Sequence, residues 1–490
     1  MADVILEKNK RILNIELCQG LFDFVSASKL DKDYSKTHLE ASDPPCYFYT
    51  KPETHYQSLR SEIYNMPFLL LEDGNPWWEA NAFFVEQVRY NTNPMARPTD
   101  DLHRKASRLL SYKMFCEERN IDWLNFSGRR PSTRPTYRFY HYLIHDSGLS
   151  NGVISQFTGA VYSFYEYVAK NWHVIDLERV DSVKTVRLFL EGKTGSFTKE
   201  VKVRQLRRPM IKSDGPEIGY VRENGEDLRP LSKKHREEFL KVINGSSWAP
   251  LERLICLSSM FTGARKQSVL TLRMKHLASF VKENLNNDGT YTVHAGAGTS
   301  IDTKFGKKQT LYFPQQLAHE MFVYANSDVA RARREKFKHV FASNYPNMEM
   351  IKDEDIYLFL SDQGNCYYMA KDDPRYPKAK APPTGQVTGT LRAKLFKFVE
   401  DDFPKNFTFH WLRATYAYMY YLWLQPLVEA GYIKIGEEIS LIQRRLHHND
   451  RATTEEYLKL FSNINEVLDA QEKFESVILN RKMFDHRGFL

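Results

Sequence analysis

Between about residues 174 and 228 the helical periodicity of the chain lapses, and that gap limits the fold more than any other feature. The stretch runs through Lys199-Glu200-Val201-Lys202-Val203-Arg204-Gln205-Leu206-Arg207-Arg208-Pro209 and then Ser213-Asp214-Gly215-Pro216. A run with no sustained apolar face buries little, and Gly and Pro punctuate loops. The chain therefore reads as separately packed units joined by an extended basic linker. Its 490 residues agree, because single hydrophobic cores stop growing at about 250–300 residues.

Four segments follow: an N-terminal accessory region over 1–95, a helical domain over 96–175, the basic linker over 176–228, and a larger domain over 229–490 ending in an amphipathic helix. In the first, loop signals such as Asp43-Pro44-Pro45 surround one helix from about Trp78 to Arg89, and Trp77-Trp78 reads as a packing anchor. In the second, Thr99 is the expected N-cap, and Ile154, Phe157, Val161, Phe164 and Val168 form an apolar stripe. In the last, Ser232 caps a helix, and Tyr291 to His294 and Thr310 to Pro314 are short strands whose connecting turn projects lysines. Ala330 to Lys338 is a strongly basic helix. Thr453 and Glu456 have capping-box spacing, which places Tyr457 in a first helical turn.

Charge and cysteine usage restrict function. The formal excess of +8 is unevenly distributed, which suits a polyanionic partner. The five cysteines are scattered and never spaced Cys-x-x-Cys, so neither a disulfide framework nor a zinc site is expected, and a reducing cytosol fits. The charged N-terminus lacks a signal peptide's apolar run, and no uncharged stretch reaches membrane-spanning length. A soluble protein without a membrane partner is expected.

The chemistry-bearing residues are few. His410 and Arg413 stand three apart on an expected helix and can face one spot. Arg265 follows Thr262-Gly263-Ala264 at a helix start, where backbone donors and a guanidinium both reach an anion. With a hairpin lysine, His448 and Tyr457, the set suits gripping a phosphodiester and displacing one of its oxygens with a phenol.

In order along the chain, Thr262-Gly263-Ala264-Arg265, Lys304-Phe305-Gly306, His410-Trp411-Leu412-Arg413 and Leu446-His447-His448, followed by Tyr457, resemble the motifs of the tyrosine recombinases, or phage-type integrases. The resemblance is strongest over about 230–475, and 98–170 is similar to that family's core-binding domain. It implies a mainly α fold with a small β-sheet: a helical SAM-like core-binding domain plus a mixed α/β catalytic domain of the DNA breaking-rejoining fold. By the same resemblance Arg265 and Arg413 clamp the scissile phosphate bidentately, and Tyr457 is the nucleophile that leaves a 3′-phosphotyrosyl ester. Lys304 protonates the leaving 5′-oxygen, with Lys307 and Lys308 as open alternatives. His448 assists proton transfer and phosphate binding, and His410 supports the phosphate or receives the phenol proton. The ester conserves bond energy, so neither ATP, metal nor cofactor is implied.

Two positions depart from the family pattern: Ser268 stands where an acid is usual and His447 where glycine is usual. Serine adds a hydrogen bond but no charge, and His447 competes with His448 for its role. The implied partners are double-stranded DNA, a protomer pair on each site and a tetramer on paired sites, with the C-terminal helix docked on a neighbour, together with accessory recombination proteins. A C-shaped clamp in a bacterial cytosol or nucleoid is expected. The long N-terminal region points to integration or excision of a mobile element. A type IB topoisomerase-like enzyme and an inactive sequence-specific DNA-binding protein on the same fold are the alternatives; His410, where such topoisomerases carry lysine, favours recombination.

Overall fold

The computed structural model describes residues 10–19, 35–38, 47–50, 62–89, 97–192, 195–207, 220–223, 226–448, 451, 453–458 and 460–461. The expected docking helix beyond residue 461 and the Ser213 to Pro216 loop lie outside the described residues. The chain divides into two compact units, Met1–Ser213 with Pro374–Lys380, and Asp214–Asp373 with Ala381–Leu490. It is mainly α, and the described strands pair off two by two, always antiparallel.

In the first unit β1 (Ile12–Gln19) pairs with a later strand, and β2 (Ser35–His38) pairs with β3 (Tyr47–Thr50). The partner of β1 is β4 (Glu62–Leu69), Ile12 lying opposite Leu69. Helices α1 (Trp78–Arg89), α2 (Thr99–Glu118), α3 (Pro135–His145) and α4 (Asn151–Asn171) follow, then the single turn α5 (Leu177–Val180). Trp77 explains why residues 62–89 do not form a region of their own. It is 2% exposed and meets Trp123 and Phe164 edge to face at 5.6 and 5.1 Å, so β4, α1, α2 and α4 share one core. Trp78, 60% exposed, takes no part. Thr99 is already the first helical residue rather than the cap, and its hydroxyl donates to the Tyr64 carbonyl at 3.1 Å. Asn65 holds the Pro374–Lys380 segment by donating to the carbonyls of Lys378 and Ala379 at 3.1 and 3.2 Å.

The stretch expected as an extended linker contains two hairpins. β5 (Val183–Gly192) pairs with β6 (Gly195–Arg204), and β7 (Val221–Glu223) pairs with β8 (Glu226–Leu228). Val201-Lys202-Val203-Arg204 has the period of two that a strand requires, not the absence of a period. Arg204 is not a loose cation either, since it reaches Asp181 at 3.3 Å and the Thr158 carbonyl at 2.8 Å.

The second unit is built on α6 (Lys233–Ile243), α7 (Pro250–Thr262), α8 (Lys266–Leu270), the hairpin of β9 (Thr290–Ala295) and β10 (Gln309–Pro314), α9 (Gln315–Ala325), α10 (Asp328–Asn344), α11 (Val387–Leu395), α12 (Trp411–Glu429) and α13 (Glu437–Leu446). Ser232 caps α6 as expected, accepting from the His235 amide at 3.2 Å. α7 is central: Leu254, Ile255 and Met260 are fully buried, and it packs against α12, α9 and β10. α10 is the basic helix, but its cations are engaged inside the unit. Arg333 reaches Asp362, Arg334 donates to the Ala325 carbonyl at 2.8 Å, and Lys338 pairs with Asp353 at 2.7 Å. Among the described residues no helix is long and apolar enough to cross a membrane.

Trp77→Ala should destabilise the first unit by about 3–5 kcal/mol, the usual cost of emptying a large aromatic site. Chemical denaturation of the full chain, followed by tryptophan fluorescence, should then show an early transition confined to that unit.

Candidate active site

α7 ends at Gly263, whose φ of 67° is the left-handed cap that glycine adopts without strain. A Cβ there would lie 2.6 Å from the Tyr416 ring, so both backbone and space call for glycine. Thr262 and Ser259 brace the connection, the first accepting from the Ala264 amide at 3.2 Å and the second donating to the Ala264 carbonyl at 2.9 Å. Arg265 is thereby held at the start of α8. Its guanidinium pairs with Glu223.

Arg413 comes from the first turn of α12 and is 2% exposed. It donates through Nη1 to the Gly263 carbonyl at 2.6 Å and through Nη2 to the Leu446 carbonyl, and its Nε lies 3.3 Å from Glu223 Oε1. One side chain therefore ties the ends of α7 and α13 to one carboxylate. Each terminal nitrogen gives one N–H to a carbonyl, and Arg413 meets the Glu223 carboxylate through Nε.

Tyr457 is fully buried and donates its phenol to Glu223 Oε2 at 2.7 Å. The His448 ring stacks on the Tyr457 ring with centroids 5.3 Å apart. His448 Nδ1 bonds Thr454 Oγ1 at 3.1 Å, and its Nε2 stands 3.8 Å from Glu223, too far for a hydrogen bond. Thr453 is not the N-cap, because Arg451 is already helical and pairs with Glu455 at 2.9 Å; Thr454, one residue on, is the side chain that serves the site.

His410 stands at the N-terminus of α12 with Nδ1 3.0 Å from Glu226, while its Nε2 is buried without a hydrogen bond. Arg265 Nε and His448 Nε2 are likewise buried without one. Lys304 lies in the β9–β10 connection, where Phe305 and Gly306 both have positive φ. Two cavities adjoin the cluster. One of 260 Å³ is lined by Arg265, Lys304, His410 and Glu226, and one of 290 Å³ by Arg265, Lys304, Lys307, Glu223 and His448. Lys304 and Arg265 line both. Lys308 lines neither, and Tyr457 lines neither.

The two unusual positions have structural reasons. His447 caps α13 with φ of 53°, the left-handed conformation that explains why glycine suits the place. Its Nε2 is 2.8 Å from the Thr310 carbonyl and 3.1 Å from the Thr310 amide, so it fastens α13 to β10 with one of the two, according to tautomer, and does not compete with His448. Ser268 donates to the Asp302 carbonyl at 2.8 Å and supports the lysine-bearing turn, not a neighbouring His or Arg. The acidic partner of the arginines is instead Glu223, which the sequence reading missed. Its cue is Glu223-Asn224-Gly225-Glu226, an Asn-Gly pair between two short runs, the residue pair that favours a tight hairpin.

Electrostatics follow from this crowding. Burial opposes the Glu223 charge, yet Arg413, His448 and Arg265 outweigh it and hold the carboxyl well below the usual carboxylate range. Burial, and then the Glu223 charge, push the Tyr457 phenol well above its ordinary value. Burial lowers His447 and His448, with the arginines adding to it.

No family model and no curated protein matches the chain. Among solved structures it is similar to the XerH site-specific recombinase bound to palindromic difH substrate, at 14% identity over 80% of this chain and 85% of that one, TM-score 0.40. It is similar also to the Tn1549 transposon integrase in complex with transposon right end DNA, at 14% identity over 77% and 94%, TM-score 0.38. The XerA recombinase matches at 14% identity over 74% and 92%, TM-score 0.27. At such identity the similarity names no residue's role.

Two predictions concern stability. His447→Ala keeps the left-handed strain and loses the Thr310 bond, whereas His447→Gly loses only the bond, so the Ala variant should be the less stable by about 1 kcal/mol in urea denaturation. The pH profile follows from the lowered groups. His447 and His448 bind fewer protons folded than unfolded, so stability should fall as pH drops below about 6.5, and Glu223 should add a second decline below about 4.3. Melting temperatures measured from about pH 8 to about pH 2 check both declines.

Proposed function

We propose that the chain is a tyrosine-type site-specific DNA recombinase that cuts and rejoins strands through a phosphotyrosyl ester. The observation that carries the reading is the convergence of Arg265, Arg413, His448 and the Tyr457 phenol on one buried anion, with Lys304 and His410 lining the cavities beside it. The ordered motifs of the sequence support the same reading.

A phosphodiester held by the two guanidiniums would present its phosphorus to Tyr457. The phenol oxygen attacks, the phosphorus–O5′ bond breaks, and the new bond links the tyrosine to the 3′ side of the cut. The arginines stabilise the charge that develops on the equatorial oxygens. Lys304 Nζ gives a proton to the departing 5′-oxygen. The phenol proton leaves to an imidazole, His410 Nε2 being buried and without a hydrogen bond. A resting phenol with a raised pKa makes that transfer part of the chemical step.

DNA binding by the whole chain, a protomer pair on each site, a tetramer on paired sites and a role in moving a mobile element belong to this proposal. Deleting residues 462–490 should leave DNA binding intact and abolish strand exchange, read by gel shift and by product formation. Steep loss of binding with salt is expected, since phosphate contacts release counterions.

The decisive measurement uses a pool of nicked suicide duplexes of randomised sequence. The native chain should form a covalent protein–DNA adduct, and Tyr457→Phe should form none while still binding. Tight binding without adduct by the native chain would leave only a DNA-binding protein. Lys304→Ala should slow adduct formation by about 10²–10⁴-fold, the range for losing a general acid. Lys307→Ala and Lys308→Ala should fall far short of that.

A further inference from the structure

The acid at the centre of the site is not one of the groups that the proposed reaction uses. Glu223 is 5% exposed, pairs with Arg265 and with Arg413 Nε, and accepts from the Tyr457 phenol, with His448 Nε2 at 3.8 Å. Each of these groups is one that a scissile phosphate would engage. A carboxylate and a phosphodiester each carry one negative charge and present two acceptor oxygens, so one can substitute for the other in such a setting.

Three observations separate an occupant from a permanent member of the machinery. First, Glu223 lines the 290 Å³ cavity whereas Tyr457, hydrogen-bonded behind it, does not. Second, the phenol is turned into a hydrogen bond with Glu223 and is completely buried. A carboxyl held so far below its ordinary range is a poor acceptor for the proton of a phenol held above its own, which argues against Glu223 as the general base. Third, Glu223 ends a strand of only three residues paired to another of three, anchored by Arg222 to Asp227 at 2.6 Å and by the buried Val221 and Leu228. Glu223 is thus the last paired residue of its strand, opposite a second acid, Glu226. Charge points the same way. With Glu223 in place one of the two guanidinium charges is already neutralised, although the reaction adds a further negative charge as the phenol attacks.

We propose that Glu223 is an internal anion filling the phosphate place of the site, and that its carboxylate is a latch that keeps Tyr457 withdrawn until a DNA phosphate displaces it. The displacement by DNA rests on the recombinase reading; the occupation of an anion site rests on the geometry alone. Withdrawal needs rotation about the bonds of the Glu223 side chain, and it returns Arg265, Arg413 and the phenol to the incoming phosphate together. No bond is made or broken in the switch.

The test compares full-length wild type, Glu223→Ala and Glu223→Gln in two assays. In the first, inorganic phosphate is titrated against sodium chloride of equal ionic strength while the melting temperature is followed. Emptying the site should lower the melting temperature of Glu223→Ala, and phosphate should restore it saturably, while wild type responds no more to phosphate than to chloride. Absence of a phosphate-specific response in both variants overturns the inference. In the second, single-turnover adduct formation is timed on the pool of nicked suicide duplexes. If wild type opens in roughly one molecule in ten, Glu223→Gln should form adduct about tenfold faster, because the apparent activity scales with the competent fraction. A slower variant, with the phosphate response intact, overturns the latch and makes Glu223 a positioning residue. If neither protein forms adduct, the phosphate titration still decides whether Glu223 fills an anion site, and what fails is the recombinase reading.

Discussion

Everything in the second unit's site depends on one buried carboxylate shared by two guanidiniums and a phenol. Charges taken out of water are tolerated only when paired and hydrogen-bonded, and removing one partner of a buried pair typically costs about 3–5 kcal/mol. Glu223 meets that condition through Arg265, Arg413 and Tyr457 together. Its anion is therefore part of what lets these side chains be buried at all. A site that must receive a phosphate needs two positive charges in a largely dry place, and such a place is unfavourable when empty. An internal carboxylate removes that difficulty.

Arg413 gives this electrostatic centre its mechanical reach. Its bonds to the carbonyls of Gly263 and Leu446 use the unsatisfied acceptors at the C-terminal ends of α7 and α13. Because His447 and His448 immediately follow Leu446, the position of the general acid–base candidate is fixed by the same guanidinium that grips the anion. His447 completes the arrangement from the other side by fastening the turn to β10 at Thr310. The left-handed caps at Gly263 and His447 are thus neither incidental turns nor interchangeable: one needs the missing Cβ to clear Tyr416, the other has a side chain that compensates its strain.

Helices were legible in the sequence where an apolar period of 3.6 ran for several turns, as in α4, whereas α12 is apolar nearly all round and shows no such period. Legible too was the order of Arg265, Lys304, His410, Arg413, His448 and Tyr457, which local motifs carry. Contacts made across long separations were not. Glu223 lies 190 residues from Arg413 and 234 from Tyr457, and no local pattern couples them. Its strand is three residues long, below the length at which a period can be read, inside a stretch whose basic residues drew attention from its hairpins. The capping-box reading at Thr453 and Glu456 shows the converse, a correct local spacing overruled because Arg451 is already helical. Likewise the basic run of α10 was legible as basic, but the acidic and carbonyl partners of its charges are not supplied by sequence spacing.

Position 268 calls for a donor rather than an acid. That position faces the base of the lysine-bearing turn, where the hydroxyl is used on the Asp302 carbonyl. A carboxylate there would set a second buried acceptor against that carbonyl with no proton to donate, because Ser268 is 1% exposed. Serine keeps the turn in place without that cost. On the proposed latch, an acid whose side chain can turn away, in contrast to one fixed three residues after Arg265, neutralises the arginines in the resting protein and withdraws when the transition state needs their full charge.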